Sequence, residues 1–261
     1  MRALSIAASG MQAQQLNVDV ISHNIANMNT TGYKRQRAEF QDMLYQNMER
    51  PGSTSAASGA ILPLGIQIGV GVQADAVGRI TEQGNISQTG NPYDLAISGR
   101  GFIQITLPSG QTAYTRAGNL AVNADGQIVT ADGYPIEPSV SVPPESTAIQ
   151  ITRDGIVEVQ LAEQTDPQQV GQLELASFIN PAGLEAIGDN LYLETPASGA
   201  PNVATPGSPG LGTLMQGYLE TSNVNAVEEI SSLIVAQRAY EMNARVITAA
   251  DEMLQATTQL R

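Results

Sequence analysis

ISHNIANMNTTGYKRQ, residues 21–36, decides how this chain is read. Its first half continues an apolar-periodic helical pattern. Its second half runs into Thr30, Thr31 and Gly32, followed by a small basic cluster of Lys34, Arg35 and Arg37. Asparagine competes for nearby backbone groups and is a mediocre helix former. Yet Asn17, Asn24, Asn27 and Asn29 crowd the end of this helix, so their amides must recover the cost through partners. Gly32 is the natural stop, and the cations after it suit a helix C-terminus. The basic cluster reads first as a solvated helix-end charge and second as a binding patch.

Upstream of this stretch, a seven-residue spacing aligns Leu4, Met11, Val18 and Ile25, with a companion row of Ala7, Gln14, Ile21 and Met28. So narrow a stripe is the seam of a coiled coil rather than the broad face of a globular helix. The far end of the chain repeats the plan. Leu233, Tyr240, Ile247 and Leu254 recur every seven residues, with Ala236, Asn243 and Ala250 between them. Asn223 or Asn225 offers an N-cap there, and Glu228 and Glu229 complement the dipole of the first turn. Neither stripe has a partner within its own segment. The two ends are therefore expected to pack on each other or on copies of themselves.

Between the ends the period changes from seven to two. Short alternating apolar runs, among them Ile66–Val72, Leu95–Ile97, Phe102–Ile105, Ile149–Ile151 and Ile156–Val159, are separated by Asn91-Pro92, Asp125-Gly126, Asp132-Gly133 and Asp154-Gly155. Such punctuation belongs to antiparallel hairpins. The predicted fold class is α+β, a mainly antiparallel β domain flanked by N- and C-terminal coiled-coil-forming helices. The expected organisation is a helix over 1–32, a connector with a small-residue loop over 33–64, the β domain over 65–195, a Gly/Pro-rich connector over 196–222 and a helix over 223–261.

Composition removes most kinds of chemistry. The 261 residues carry 12 Lys and Arg against 25 Asp and Glu, a formal charge of −13, which argues against nucleic-acid binding. With no Cys, disulfides, thiol catalysis and thiolate metal sites are excluded. That absence fits a chain that must cross an oxidising compartment unpaired. His23 is the only histidine, so a His-rich metal site is impossible and a Ser-His-Asp triad would have to be built on it. It reads as a packing or hydrogen-bonding residue. Gly69-Val-Gly71 lacks a third glycine and a following helix, and Asn123-Ala-Asp125-Gly126 lacks the closing glutamate of a calcium loop. No catalytic residue, metal or cofactor is expected. No run reaches the length of a membrane span. Residues 1–21 do not read as a cleaved leader, so the chain is expected to stay in the cytoplasm or leave by a route that needs none.

An assembly protein is what these features leave. Ser9-Gly-Met11 through ISHNIANMNTTGYKRQ closely resembles the N-terminal signature of flagellar rod and hook proteins, with His23 where that family commonly has asparagine. Ser232-Leu-Ile-Val-Ala-Gln-Arg-Ala-Tyr-Glu-Met-Asn-Ala-Arg-Val-Ile247 is similar to its C-terminal signature, and GNPYDLAISGRGFIQI to its β-domain motif. Within the family the chain length, Glu39-Phe-Gln-Asp-Met-Leu-Tyr-Gln46 and the ending Asp251–Leu260 point to the distal-rod branch, the alternative being a proximal rod or hook subunit of the same family. The resemblance implies a homopolymer exported by the flagellar type III apparatus, wound helically into a hollow drive shaft across the periplasm. Its implied neighbours are proximal rod proteins, the hook protein, and the P-ring and L-ring proteins. The seam expected from this comprises Leu4, Met11, Val18, Ile21, Ile25, Met28, Leu233, Tyr240, Ile247 and Leu254. Asn17, Asn24, Asn27 and Asn243 are expected to bond adjacent subunits. The competing reading is a monomeric β-domain binding module.

Overall fold

The computed structural model describes residues 2–49, 65–161 and 166–259. Helices α1 (Arg2–Ala26) and α2 (Ala226–Gln259) stand at the two ends of a chain that is otherwise short β-strands, paired antiparallel. The molecule is thus α+β, as the change of period requires. It forms two compact units, each drawn from non-contiguous segments. One comprises Met1–Ile25, Gln36–Gly78 and Asn225–Arg261, and the other Ala26–Arg35 and Arg79–Val224.

In the first unit, the described part of the segment read as a connector is mostly β-strand. Strands Gln36–Asp42 and Tyr45–Glu49 pair with Val72–Arg79 and Ile66–Gly69 to make a long two-stranded ribbon. The small-residue loop expected over 51–60 lies outside the described residues. In the second unit, the Gly/Pro-rich connector likewise supplies strands Asn202–Ala204, Thr213–Gln216 and Tyr218–Glu220. Glycine and proline mark the turns between these strands, and three or four residues are too few to display an alternation.

Helix α1 stops at Ala26, short of Gly32. Asn27 offers local partners that compete with the helix: its carbonyl accepts the Thr30 N–H at 3.1 Å and its Oδ1 accepts the Thr30 hydroxyl at 3.1 Å. Gly32 has a different task from the expected one. Its φ is +70°, and a Cβ there would lie 2.8 Å from the backbone of Arg116 and Ala117. Only glycine allows that approach.

The second unit is built on a sheet ordered Glu185–Gly188, Leu191–Leu193, Thr112–Thr115, Phe102–Thr106, Leu175–Ser177, Asn202–Ala204, with Ile136–Glu137 also pairing with Phe102–Thr106. Successive side chains point to opposite faces. Ile103, Ile105, Ala113, Leu175 and Leu191 therefore join the aliphatic core, while Phe102, Tyr114, Ala176 and Tyr192 face the other way. There Phe102, Tyr114, Tyr192 and Phe178 meet edge to face, with ring centroids 4.8 to 6.0 Å apart. Burial pushes the Tyr192 hydroxyl up, against the pull of the Arg79 charge. Tyr114 is also raised, by burial first and then by the Glu194 and Glu137 carboxylates.

A buried ionic network fastens the ends of this unit. Glu220, 1% exposed on the last strand before α2, accepts Lys34 Nζ at 2.5 Å and the Gly84 N–H at 2.9 Å on Oε1, and Arg116 Nε at 2.6 Å on Oε2. Arg116 gives its other donors to the carbonyls of Gly101, Gly99 and Ile97, and Lys34 gives another to Glu82. Burial alone would raise the Glu220 carboxyl. The Arg116 charge, the Lys34 hydrogen bond and charge, and the Gly84 N–H outweigh it and hold the group below its usual range. For Lys34 burial wins, and the ammonium is lowered despite Glu220 because Arg116 repels it as well. Two cations on one carboxylate produce that asymmetry. Beside the network, Asn223 accepts the Arg35 N–H at 2.7 Å and donates to the carbonyls of Ile80 and Glu82, holding three segments side by side.

Glu220→Gln leaves two buried cations without a counter-charge and is expected to cost about 3–5 kcal/mol in chemical denaturation. An unchanged midpoint would mean that the pair is solvated. Because the folded carboxyl titrates below its ordinary value near 4.5, the unfolded chain binds more protons on the acid side. The Glu220 contribution is therefore complete above that value and is lost as pH falls through the depressed one. The Gln variant should have a flatter acid limb. Gly118→Ala is expected to prevent folding of this unit, since its Cβ would lie 1.6 Å from the Leu95 carbonyl oxygen. Gly110→Ala, in open space at φ +80°, should cost only about 1–2 kcal/mol by thermal unfolding.

Candidate assembly surface

Two contacts fix how the helices of the first unit meet. A Cβ on Gly10 would lie 2.9 Å from Asn243 Nδ2, and Asn24 Nδ2 donates to Glu229 Oε2 at 3.2 Å. Both pairs sum to the same number, so α1 and α2 run antiparallel in one register. The inward row of α2 is Glu229, Ala236, Asn243 and Ala250, all buried but the half-buried Asn243. Small side chains there let the backbones come close. The sequence places Ala236, Asn243 and Ala250 between the heptad positions, and with Glu229 they form the row that α1 covers.

The expected seam residues divide accordingly. Ile21 is buried, whereas Leu4, Met11, Val18, Ile25, Leu233 and Ile247 are half-buried. Met28, in the turn beyond α1, and Tyr240 and Leu254 on α2 are exposed. Val227, Ile234, Val235, Met242, Val246 and Met253 are exposed as well, so α2 keeps a broad apolar face after pairing with α1. That face exceeds a heptad stripe, which is why sequence spacing did not mark it.

Of the four amides, Asn17, Asn27 and Asn243 are half-buried, and Asn24 is 1% exposed. The expectation for Asn24 was a bond to a neighbouring chain. Here its amide finds partners in its own chain, donating to the Gln36 carbonyl at 2.8 Å and to Glu229, and accepting the Gln36 N–H at 2.9 Å. The half-buried start of a strand and an acid in the first turn of α2 thus converge on one side chain. Glu229 was read only as a dipole partner. Asn225 caps α2, accepting the Val227 N–H at 3.1 Å. His23 lies on the exposed side of α1.

Ser9, Gly10 and Met11 separate into distinct tasks. Ser9 Oγ donates to the Ile6 carbonyl at 2.8 Å and accepts the Val72 N–H of the ribbon at 3.3 Å. Gly71, at φ +141°, leaves room for it, and Gly10 receives Asn243. Beside Ser9 a groove of about 520 Å³ opens between α1 and the ribbon, lined by Ser5, Gln12, Met43, Val70 and Val72. The second unit carries a cavity of about 510 Å³ over its aromatic cluster, walled by Phe102, Phe178, Leu184 and Tyr192. Arg79 lies 4.5 Å above the Tyr192 ring and donates to the Leu184 carbonyl at 3.4 Å.

Among the described residues, no helix is long and apolar enough to cross a membrane. Residues 4–34 match the flagella basal body rod protein family, residues 96–159 the D1 domain of flagellar hook protein FlgE/F/G, and residues 215–260 the C-terminal region of flagellar basal body rod FlgEFG proteins. The chain is 62% identical to the flagellar basal-body rod protein FlgG of Caulobacter vibrioides over 261 residues, the whole of both chains. It is 54% identical to that of Agrobacterium fabrum over 97% of each chain. With that of Bacillus subtilis the identity is 38%, over 100% of this chain and 99% of the relative. The chain belongs to the family of flagellar basal-body rod proteins.

Proposed function

We propose that the chain is a structural subunit of the distal rod of the bacterial flagellar basal body. It polymerises helically into a hollow shaft that carries torque from motor to hook and encloses the export channel. The observation that carries this reading is the broad apolar face left on α2, in a chain that aligns along its whole length with rod proteins. Each large apolar side chain moved out of water is worth about 1.5–3 kcal/mol, a gain the single chain leaves unused. In the polymer the antiparallel helix pair becomes part of a coiled-coil layer. Leu233, Tyr240, Ile247 and Leu254 meet Leu4, Met11, Val18, Ile25 and Met28 of neighbouring copies, and Asn17, Asn27 and Asn243 bond across the seams.

The role is mechanical, and no reaction is assigned. The axial neighbours are proximal rod proteins on one side and the hook protein on the other, with the P-ring and L-ring proteins around the β layer. The chain reaches them through the flagellar type III export apparatus and lies across the periplasm. The α1–α2 contact also bears on order before assembly. Ordering costs roughly 1–2 kcal/mol of backbone entropy per residue, so the outer turns of both helices gain their full stability from neighbouring copies.

Two variants separate assembly from folding. Leu254→Asp alters an exposed position and should abolish incorporation into rods while leaving the thermal unfolding of secreted protein unchanged. Asn24→Leu removes the amide from the Gln36 backbone and the Glu229 carboxylate, at about 1–3 kcal/mol per buried group. It should lower the stability of the secreted protein as well as incorporation. Normal rods from Leu254→Asp would place that residue outside the seam.

A further inference from the structure

The cavity over the aromatic cluster lies wholly within the second unit, and it gathers hydrogen-bond donors that the fold leaves unused. Lys34, Arg79, Arg100 and Arg116 line it above the floor of Phe102, Phe178, Leu184 and Tyr192. Two of these cations are fully engaged. Arg116 donates to Glu220 and to the carbonyls of Gly101, Gly99 and Ile97, and Lys34 donates to Glu220 and to the Glu82 carbonyl. The other two are not. Arg100 stands exposed at the mouth, and its side chain has no partner among the described residues. Arg79 is half-buried on the Tyr192 ring and makes one long hydrogen bond, 3.4 Å to the Leu184 carbonyl. A guanidinium carries five N–H donors, so most of these two forks is free.

A third donor belongs to the same wall. Tyr192 is 5% exposed, yet its hydroxyl has no hydrogen-bond partner among the described residues. A buried tyrosine hydroxyl usually has one, because the group is costly to take out of water alone. The acceptor side is thin by comparison. Glu82 is the only carboxylate among the lining residues, and it is exposed on the rim. Two guanidinium forks and a phenol therefore surround an apolar floor in a chain whose formal charge is −13. The volume, about 510 Å³, falls within the range of small-molecule sites.

We infer that this cavity binds a small aromatic oxyanion, a planar apolar body bearing a carboxylate, sulfonate or phosphate. The anion takes the forks of Arg79 and Arg100, with the Tyr192 hydroxyl as a third donor. Arginine meets such groups with two parallel hydrogen bonds, which fixes their orientation as well as their charge. The body lies against Phe178 and Leu184, where aromatic rings already pack edge to face and a further ring continues the pattern. Ile179, 96% exposed at the mouth, covers its outer edge. The inference goes beyond the rod reading and is independent of it, since every residue it uses belongs to one folded unit of one chain.

Ligand-observed NMR titration of the full-length, unassembled protein tests this with three probes. 2-Naphthoate carries both features, acetate the charge alone and 2-naphthol the ring alone. 2-Naphthoate should bind saturably, and acetate and 2-naphthol roughly tenfold or more weakly. Arg100→Glu alters an exposed side chain and should weaken 2-naphthoate roughly tenfold or more, with the unfolding temperature unchanged. Tyr192→Phe keeps the ring and removes a hydroxyl that bonds nothing in the fold. It should weaken 2-naphthoate about fivefold without lowering the unfolding temperature, a combination that a structural hydroxyl would not produce. Equal affinity for 2-naphthol and 2-naphthoate would reduce the cavity to an apolar surface and overturn the assignment. Unchanged affinity in both variants would place the ligand elsewhere, on the apolar face of α2 for instance, and would overturn it too. So would the absence of saturable binding by 2-naphthoate. None of these results bears on polymerisation, so the rod reading stands or falls separately.

Discussion

One buried carboxylate holds together parts of the chain that are far apart in sequence. Glu220 accepts from Lys34, Gly84 and Arg116, and Arg116 in turn ties down the carbonyls of the loop at Ile97–Gly101. Removing three charges from water is unfavourable unless every donor and acceptor is engaged. Partial versions of the arrangement are therefore disfavoured more strongly than in an apolar cluster, where one missing contact costs little. The network sits where the chain leaves this unit for the ribbon after Arg35 and where it leaves again for α2 after Val224. It sets the spacing of these two exits, and Gly32 can approach the Arg116 backbone only because its missing Cβ leaves the space.

Two asparagines extend this bracketing on either side. Asn223 joins Arg35, Ile80 and Glu82 within the second unit, and Asn24 joins Gln36 and Glu229 within the first. In each case one short amide supplies both a donor and an acceptor to strand-like backbone and so replaces a missing neighbour strand. Asparagine's weakness inside helices is the same property seen from the other side. An amide that readily finds backbone partners makes a poor helix interior and a good bracket between segments.

Much of this could be read from residue patterns. The seven-residue rows announced both helices, and the period-two runs with Asp-Gly turns announced antiparallel strands. Each signal survives because a repeated spacing is a local property. One side of the ribbon was read, at Ile66–Val72, and the other was missed because Gln36-Arg-Ala-Glu-Phe-Gln-Asp42 is mostly polar and its partner strand, Val72–Arg79, lies far along the chain. Ala236, Asn243 and Ala250 were recognised as a row and given second place to Leu233, Tyr240, Ile247 and Leu254, since alanine does not look like a seam, and Glu229 was read apart from them as a dipole partner. Lys34 looked like a solvated helix-end cation. Its partner Glu220 lies 186 residues away, and no periodicity connects them.

The placement of cations bears on how copies of so acidic a chain come together. Lys34 and Arg116 are buried with Glu220, Arg79 lies on Tyr192, and Arg37 is paired with Glu39. With Lys34 and Arg116 buried and Arg37 offset by Glu39 on the surface, the outer surface is left predominantly acidic, and copies repel one another at long range. That repulsion decays over about 8 Å at physiological ionic strength. An apolar helix face works at shorter range, where water is excluded and screening is weak. Association is thus unfavourable for approach in most orientations and favourable only once the right surfaces are nearly in contact. For a chain with broad exposed apolar surface, this difference in range allows ordered addition at a growing end while suppressing indiscriminate clumping.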